Sequence, residues 1–466
     1  MNLLENPLVR PLLEGAGPAL PRRKQALEIL GAALAAVDPY QAVRQALVFD
    51  RATNRLTVGG RDFRLDPAGK LIVVGAGKAG TPMAQAVAAV FGDRVSAGLV
   101  TVKYGYGPEQ VGSAGPIRFR EAGHPVLDEA GIRATTEITG LLEGLTERDT
   151  VVAVISGGGS ALLEEPVEGV SLANMQQLAT ALLKGGATIN QLNTIRKHLS
   201  RVKGGQLARL AAPAQVIGLL LSDVVGSPLD VIGSGPTVPD TSTFQDAWAI
   251  LERLGLTGDN AIPGPIRDYL QKGLAGEVSE TPKPGDPLFE HVFTYIVGDN
   301  RVAALAGLEK ARQLGFNTML LSTFIEGEAR EVARVFCGIA REILASNGPL
   351  KRPACLIAGG ETTVTVRGDG LGGRNQEMAL AAALALDGLE NVLIVPLATD
   401  GSDGPNDAAG AFAEGDTVRQ ARALALDPFD YLQRNDAYHF FEKTGGLLKT
   451  GPTNTNVNDL TLVLVW

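Results

Sequence analysis

Residues 71–84, "LIVVGAGKAGTPMA", decide the fold class. Four apolar residues run into a glycine-rich turn and then into an alanine-rich, helix-forming segment. That order predicts a buried strand, a tight turn and a helix, the start of a βαβ unit. Gly75, Gly77 and Gly80 satisfy G-x-G-x-x-G, the pattern of a dinucleotide-binding turn, which is a weak signal by itself. Lys78 stands inside it. Backbone N–H groups and the helix dipole favour an anion at such a turn, so Lys78 reads as a phosphate ligand or as a solvated lysine on a first helical turn. An NAD site normally ends its next strand in Asp or Glu, whereas "AGLVTVKYGYG" places Lys103 there.

Three further apolar stretches, "TVVAVISGGGSALL", "AQVIGLLLSDVVGS" and "FTYIVGDNRVAALAGLEKA", end in glycine-rich or acidic loops. Strands buried on both faces of a parallel sheet read this way, and their ligands bind beyond the carboxyl ends. The later half has another texture. "ACLIAGGETTVTVRGDGLGGRNQEMALAAALAL" reads as strand, turn, strand, glycine-rich turn and helix, and the direct "GGE" turn suggests a mixed sheet. The proline-rich segment 263–288 reads as a connector near a domain boundary.

The chain has 466 residues, long enough for two α/β domains. With 42 basic and 51 acidic residues its formal charge is −9, which argues against a nucleic-acid partner. Its two cysteines exclude a disulfide framework or a zinc site and suit a reducing cytoplasm. No signal peptide is read at the start, and apolar runs such as "VIGLLL" are far short of a membrane span. A homodimer is compatible with the sequence and is not decided by it.

Candidate chemistry lies in the loops. Ser156, Gly157, Gly158, Gly159 and Ser160 form a turn through which a ligand can approach the backbone, although no Walker A loop occurs. In the stretch from Asn190, Leu192, Ile195, Leu199 and Val202 recur at helical spacing and should face the core. Asn193, Arg196, Lys197 and Ser200 share the opposite face, with Lys203 just beyond. That face reads as solvated or as ligand-binding. His198 reads as a packed or surface histidine. Asp223 ends a buried strand, where a carboxylate can orient a metal, take a hydroxyl proton or cap a turn. Arg374, followed by Asn375, begins a helix and offers a bidentate fork for an oxyanion. Glu361 sits at a strand end. Asp400, Asp403 and Asp407 share a loop that suits magnesium better than calcium, or that forms ordinary Asp-Gly turns. Taken together, these loops fit phosphoryl transfer.

Eight stretches carry a resemblance: "VGAGKAG", "GHPVLDEAG", "SGGGSALL", "NTIRKHLSRVKGGQLA", "SDVVGSPLDVIGSGPTVPD", "GGETTVTVRGDGLGGRNQE", "TDGSDGPNDAAGA" and "TGPTNTNVNDL". In this order, from about residue 24 onward, they resemble the glycerate 2-kinase family with a C-terminal MOFRL domain. The resemblance implies ATP-dependent phosphorylation of D-glycerate at its 2-hydroxyl, with Mg2+ or another divalent cation. It implies an N-terminal Rossmann-like α/β domain (1–245) and a C-terminal mixed-sheet α/β domain (246–466). The second holds the MOFRL region (about 352–460), and the active site lies in the cleft between the two. Lys78 matches the family's catalytic lysine and Arg374 its cleft arginine, with Asp223 added as a catalytic carboxylate. Substrate or nucleotide contacts are expected from Gly75, Gly77, residues 156–160, Asn193, Arg196, Lys203, Glu361 and Asn375, and metal contacts from Asp400 and Asp403. Ser227 departs from the pattern, replacing an expected aspartate. Some family members have been labelled hydroxypyruvate reductases, so an NAD(P)H-dependent reductase is the alternative.

Overall fold

The computed structural model describes residues 2–108, 112, 114–258 and 261–466. They form two compact units. One comprises residues 39–222 and 227–297; the other joins 1–38, 223–226 and 298–466. This division falls near residues 38 and 297, not at 245.

The first unit begins with an antiparallel meander, β1 (Leu47–Asp50), β2 (Arg55–Val58) and β3 (Arg61–Arg64). A six-stranded sheet follows, made of β4 (Leu71–Ala76), β5 (Ala97–Lys103), β6 (Ile117–Ala122), β7 (Thr150–Ile155), β8 (Gln215–Leu221) and β9 (Val292–Gly298). Its order is β6-β5-β4-β7-β8-β9, and the pairings from β6 to β8 are parallel. Numbered from β4, that is the 3-2-1-4-5-6 order of the doubly wound dinucleotide-binding folds. Every residue of β4 and β7 is buried, which explains their unbroken runs of Val, Ile, Leu and Ala. The sequence order reverses between β4 and β7, so the crevice at their carboxyl ends is the expected ligand position. The 263–288 segment is no connector: it contains the helix Gly264–Leu274, whose Ile266 and Leu270 join the core around Phe244, Leu178 and Ile195.

The second unit holds a seven-stranded mixed sheet of β10 (Asn317–Glu328), β11 (Ala354–Thr363), β12 (Val392–Ala398), β13 (Gly410–Ala411), β14 (Ala413–Glu414), β15 (Leu447–Leu448) and β16 (Asp459–Val465). The mixture does not come from a "GGE" turn. Gly359, Gly360 and Glu361 lie inside the continuous β11, paired parallel to β10 on one side. On the other side β16 runs antiparallel to both β11 and β12 and is buried throughout. The N-terminal helix Leu20–Ala36 belongs here because its face packs on the helix Asn300–Gln313. Gly307 lies so close to Ile29 and Ala33 that a Cβ there would touch both, and Lys310 pairs with Glu28 at 2.8 Å. Among the described residues no helix is long and apolar enough to cross a membrane.

Candidate active site

In the first unit, chemistry-bearing side chains gather where β4, β5, β6 and β7 end. Lys78 lies two residues past β4, Lys103 closes β5, His124 lies two residues past β6, and Ser156 follows β7. Two glycine turns are stitched into one surface there. Lys78 N donates to Gly157 O at 2.8 Å, Ser156 N to Ala76 O at 3.1 Å, and Ala79 N to Ser156 Oγ at 3.0 Å. Gly77 has φ 140°, and a Cβ on it would lie 2.1 Å from Ser156 Oγ. Glycine is therefore required by conformation and by contact. The helix Gly80–Phe91 starts immediately after Lys78 and Ala79 and aims its N-terminal end at this turn.

Gly158 adopts φ 81° and lies against His124, whose Cδ2 and Nε2 would be 2.8 and 2.9 Å from a Cβ there. Burial, then the charges of Lys78 and Lys103, push the His124 imidazole down from 6.5 to about 4. The ring is neutral at pH 7. Because the unfolded imidazole binds its proton more tightly, this group's contribution to stability is complete above about pH 6.5 and lost as pH falls to about 4. Thermal melts should show His124→Gln losing less stability than the wild type across that interval. Equal losses would mean that the imidazole titrates normally in the folded protein. The sequence reading missed His124 because β6 is an edge strand of alternating charge, "IRFREA", that does not announce itself.

Asn193, Arg196 and Lys203 do reach the 156–160 turn, but from behind. Arg196 Nη2 donates to Ser160 O at 2.9 Å and pairs with Glu164 at 3.2 Å. Lys203 is 0% exposed and donates to Ser160 O at 2.8 Å and Leu163 O at 2.5 Å, with Glu164 at 3.3 Å. Burial lowers Lys203 to about 8 despite Glu164. These cations satisfy carbonyls at the end of the one-turn helix Gly159–Leu162. Asn193 Oδ1 accepts from Ser234 Oγ, which bonds Ser160 Oγ at 2.8 Å. Lys197 is buried between Asp230 (3.2 Å) and Asp240 (3.3 Å), and Ser200 is also buried. Of that polar face, carried mostly by the helix Ile189–His198, Asn193, Lys197 and Ser200 are buried and Arg196 is part-buried, so it is largely interior rather than solvated. His198 is packed, as expected, with Nδ1 on Thr194 O and Nε2 on Glu280.

In the second unit, Arg374 opens the helix Arg374–Ala385. Its Nε and Nη2 meet both carboxylate oxygens of Asp459, at 2.5 and 3.1 Å, and Nη1 meets Glu361 at 2.8 Å. Burial and the nearby Asp403 charge push Asp459 up to about 7, while the bidentate Arg374 pulls the other way. Asp403 is not disposed as a metal ligand. Its two oxygens accept from Asn375 N (3.1 Å) and Gln376 N (2.8 Å), capping that helix, and burial raises its pKa. Asp400 accepts from Ser402 N at 3.1 Å, and Asp407 bonds Tyr438 and Lys449. Asp223 accepts from Asn456 Nδ2 at 3.3 Å. Among the described residues no three His, Cys, Asp or Glu side chains are grouped to hold a metal.

Residues 25–271 match the family described as Domain of unknown function (DUF4147), and residues 354–459 match the MOFRL family. The chain is 43% identical to a D-glycerate 2-kinase of Thermotoga maritima, the alignment covering 95% of this chain and 98% of that one. A crystal structure of glycerate kinase from the same organism matches with a TM-score of 0.84 and 41% identity over 95% of this chain and 99% of that one. A relative from Agrobacterium vitis, 41% identical over 86% of this chain and 88% of its own, bears the provisional name hydroxypyruvate reductase. With this identity over nearly the whole of both chains, the chain belongs to the glycerate 2-kinase family.

Proposed function

We propose that this protein transfers the γ-phosphoryl group of ATP to the 2-hydroxyl of D-glycerate, giving 2-phosphoglycerate and ADP. The observation that carries this reading is the near-full-length likeness to a D-glycerate 2-kinase. The turn that holds Lys78 supports it. A bond forms between the 2-hydroxyl oxygen and Pγ, the bond from Pγ to the bridging oxygen breaks, and the hydroxyl proton leaves to a carboxylate, for which Asp223 is proposed. Such transfers depend on positioning and electrostatics, with little covalent help from the protein.

Lys78 supplies the charge that meets the transferring group, and the paired turns present backbone N–H groups to the phosphates. Gly75 and Gly77 allow that approach. Arg196, Lys203 and Asn193 hold the second turn in place. Arg374, with Glu361, Asn375 and Asp459 around it, offers its remaining N–H groups to an oxyanion of substrate. A divalent cation fits as a companion of the nucleotide. Magnesium uses one or two carboxylates together with phosphates and water, and Asp400 is the carboxylate proposed. Asp403, committed to the helix cap, is withdrawn from that set. The two cysteines, buried and unpaired, accord with a cytoplasmic enzyme.

Phosphorus NMR of the product from D-glycerate and ATP should show the 2-phospho ester. A 3-phospho ester as sole product would overturn the regiochemistry. Consumption of NADH with hydroxypyruvate in the absence of ATP would instead favour the reductase.

A further inference from the structure

We propose that His124 is a further ligand-contacting side chain of the Lys78 turn, donating one ring N–H to an oxygen of the nucleotide's phosphates. This rests on the ATP-dependent reading above and assigns a residue that it leaves out.

The first observation is an unsatisfied ring. His198 bonds through both ring nitrogens and His439 bonds Asp436, yet neither nitrogen of His124 has a hydrogen-bond partner among the described residues. The ring is only half-buried and its nitrogens are not sealed from solvent, so they are within reach of a ligand. The second observation is position. The Cδ2–Nε2 edge of the ring lies over Gly158, at the crest of the 156–160 turn. The amides of Gly157 and Gly158 likewise donate to no group among the described residues. The third is charge. Lys78 and Lys103 are the charged groups acting on the ring, and both are cationic. Two lysines, a ring edge and two amides thus lie where β4, β5, β6 and β7 end, and the nearby carboxylate of Asp128 is taken up by Gly123 N and Tyr104 Oη, at 2.9 Å each. A polyanion is the ligand that such a set fits. The neutral ring adds a donor without adding a third charge to a site that is already strongly positive.

Packing alone is the competing explanation, since the ring also fills the room beside Gly158. Phenylalanine keeps the filler and removes the N–H groups; glutamine keeps a terminal N–H at similar reach and removes the ring. The test compares wild type, His124→Phe, His124→Ala and His124→Gln by ATP calorimetry without glycerate, by steady-state kinetics, and by melting temperature. The Phe and Ala variants are expected to fold and to lose affinity or kcat/KM for ATP by roughly 10- to 100-fold, the range for a hydrogen bond to a charged group. Gln is expected to recover most of that loss. Wild-type ATP affinity and kcat/KM in the Phe variant would overturn the proposal, as would equal losses in Phe and Gln at unchanged melting temperature. Should one variant melt far below the others, the remaining pair decides. Wild-type protein that binds ATP but never phosphorylates glycerate would sink the reaction and leave the calorimetric comparison standing.

Discussion

Lys78→Ala is expected to lower kcat by on the order of 10²–10³, about 3–4 kcal/mol of transition-state stabilisation, the usual cost of deleting one preorganised charge contact. The fold should tolerate the change. The residue's structural work is done by its backbone, through the 2.8 Å bond from its N–H to Gly157 O, which alanine keeps. Its side chain is half-buried and is not part of the core. Melting temperature should therefore hold while turnover collapses, and the loss should fall on kcat more than on the KM for glycerate. A variant with near wild-type turnover would make Lys78 an ordinary lysine on a first helical turn.

Arg374→Lys should be nearly as damaging, for a different reason. A guanidinium has five N–H donors in a fixed plane. Three are engaged, two by Asp459 and one by Glu361, which leaves two for a substrate oxyanion. An ammonium has three donors and no plane, so it cannot serve both carboxylates and a ligand with the same geometry. Asp459 is buried, and weakening its partner exposes part of the roughly 3–5 kcal/mol that follows when a buried pair is broken. We expect kcat/KM to fall about 10²-fold, the scale of one lost oxyanion donor. Melting temperature should fall as well, unlike that of Lys78→Ala. If KM for glycerate rises while KM for ATP holds, the carboxylate is the anion gripped; the reverse assigns the phosphate. Full efficiency with lysine would show that a point charge suffices.

The elements that could be read from sequence were those whose cause is local. β4, β7, β8 and β12 are unbroken apolar runs, and the turns after them carry their own glycines. Lys78 and Arg374 were singled out because each adjoins a glycine-rich turn. What escaped depends on partners distant in the chain. Arg196 and Lys197 read as part of a solvated or ligand-binding face, with Lys203 just beyond, since their spacing shows only which side of the helix they share. Their burial depends on Glu164, Asp230 and Asp240, 32 to 43 residues away. Asp459, the first residue of β16, has its partner Arg374 85 residues earlier. "GGE" suggested a turn because glycine weakens strands. Here Gly360 instead lies against Ile325 of β10, where a Cβ would sit 2.0 Å from Ile325 O, so the glycine permits a close strand pairing.

The placement of β16 bears on how the protein can be made. This strand comes after every other strand of its sheet in the sequence, yet it occupies the middle, paired along seven residues with β11 on one side and β12 on the other. During vectorial synthesis, β11 and β12 emerge as neighbours that have no direct pairing, each exposing an unpaired apolar edge until the final segment arrives between them. Open edges of that kind are where nascent chains associate with one another. The four parallel pairings from β6 to β8, by contrast, lie within residues 71–221 and meet no such delay. Birth order therefore sets an assembly order: the turns that carry Lys78 and Ser156 can form while the unit that carries Arg374 still waits for its keystone.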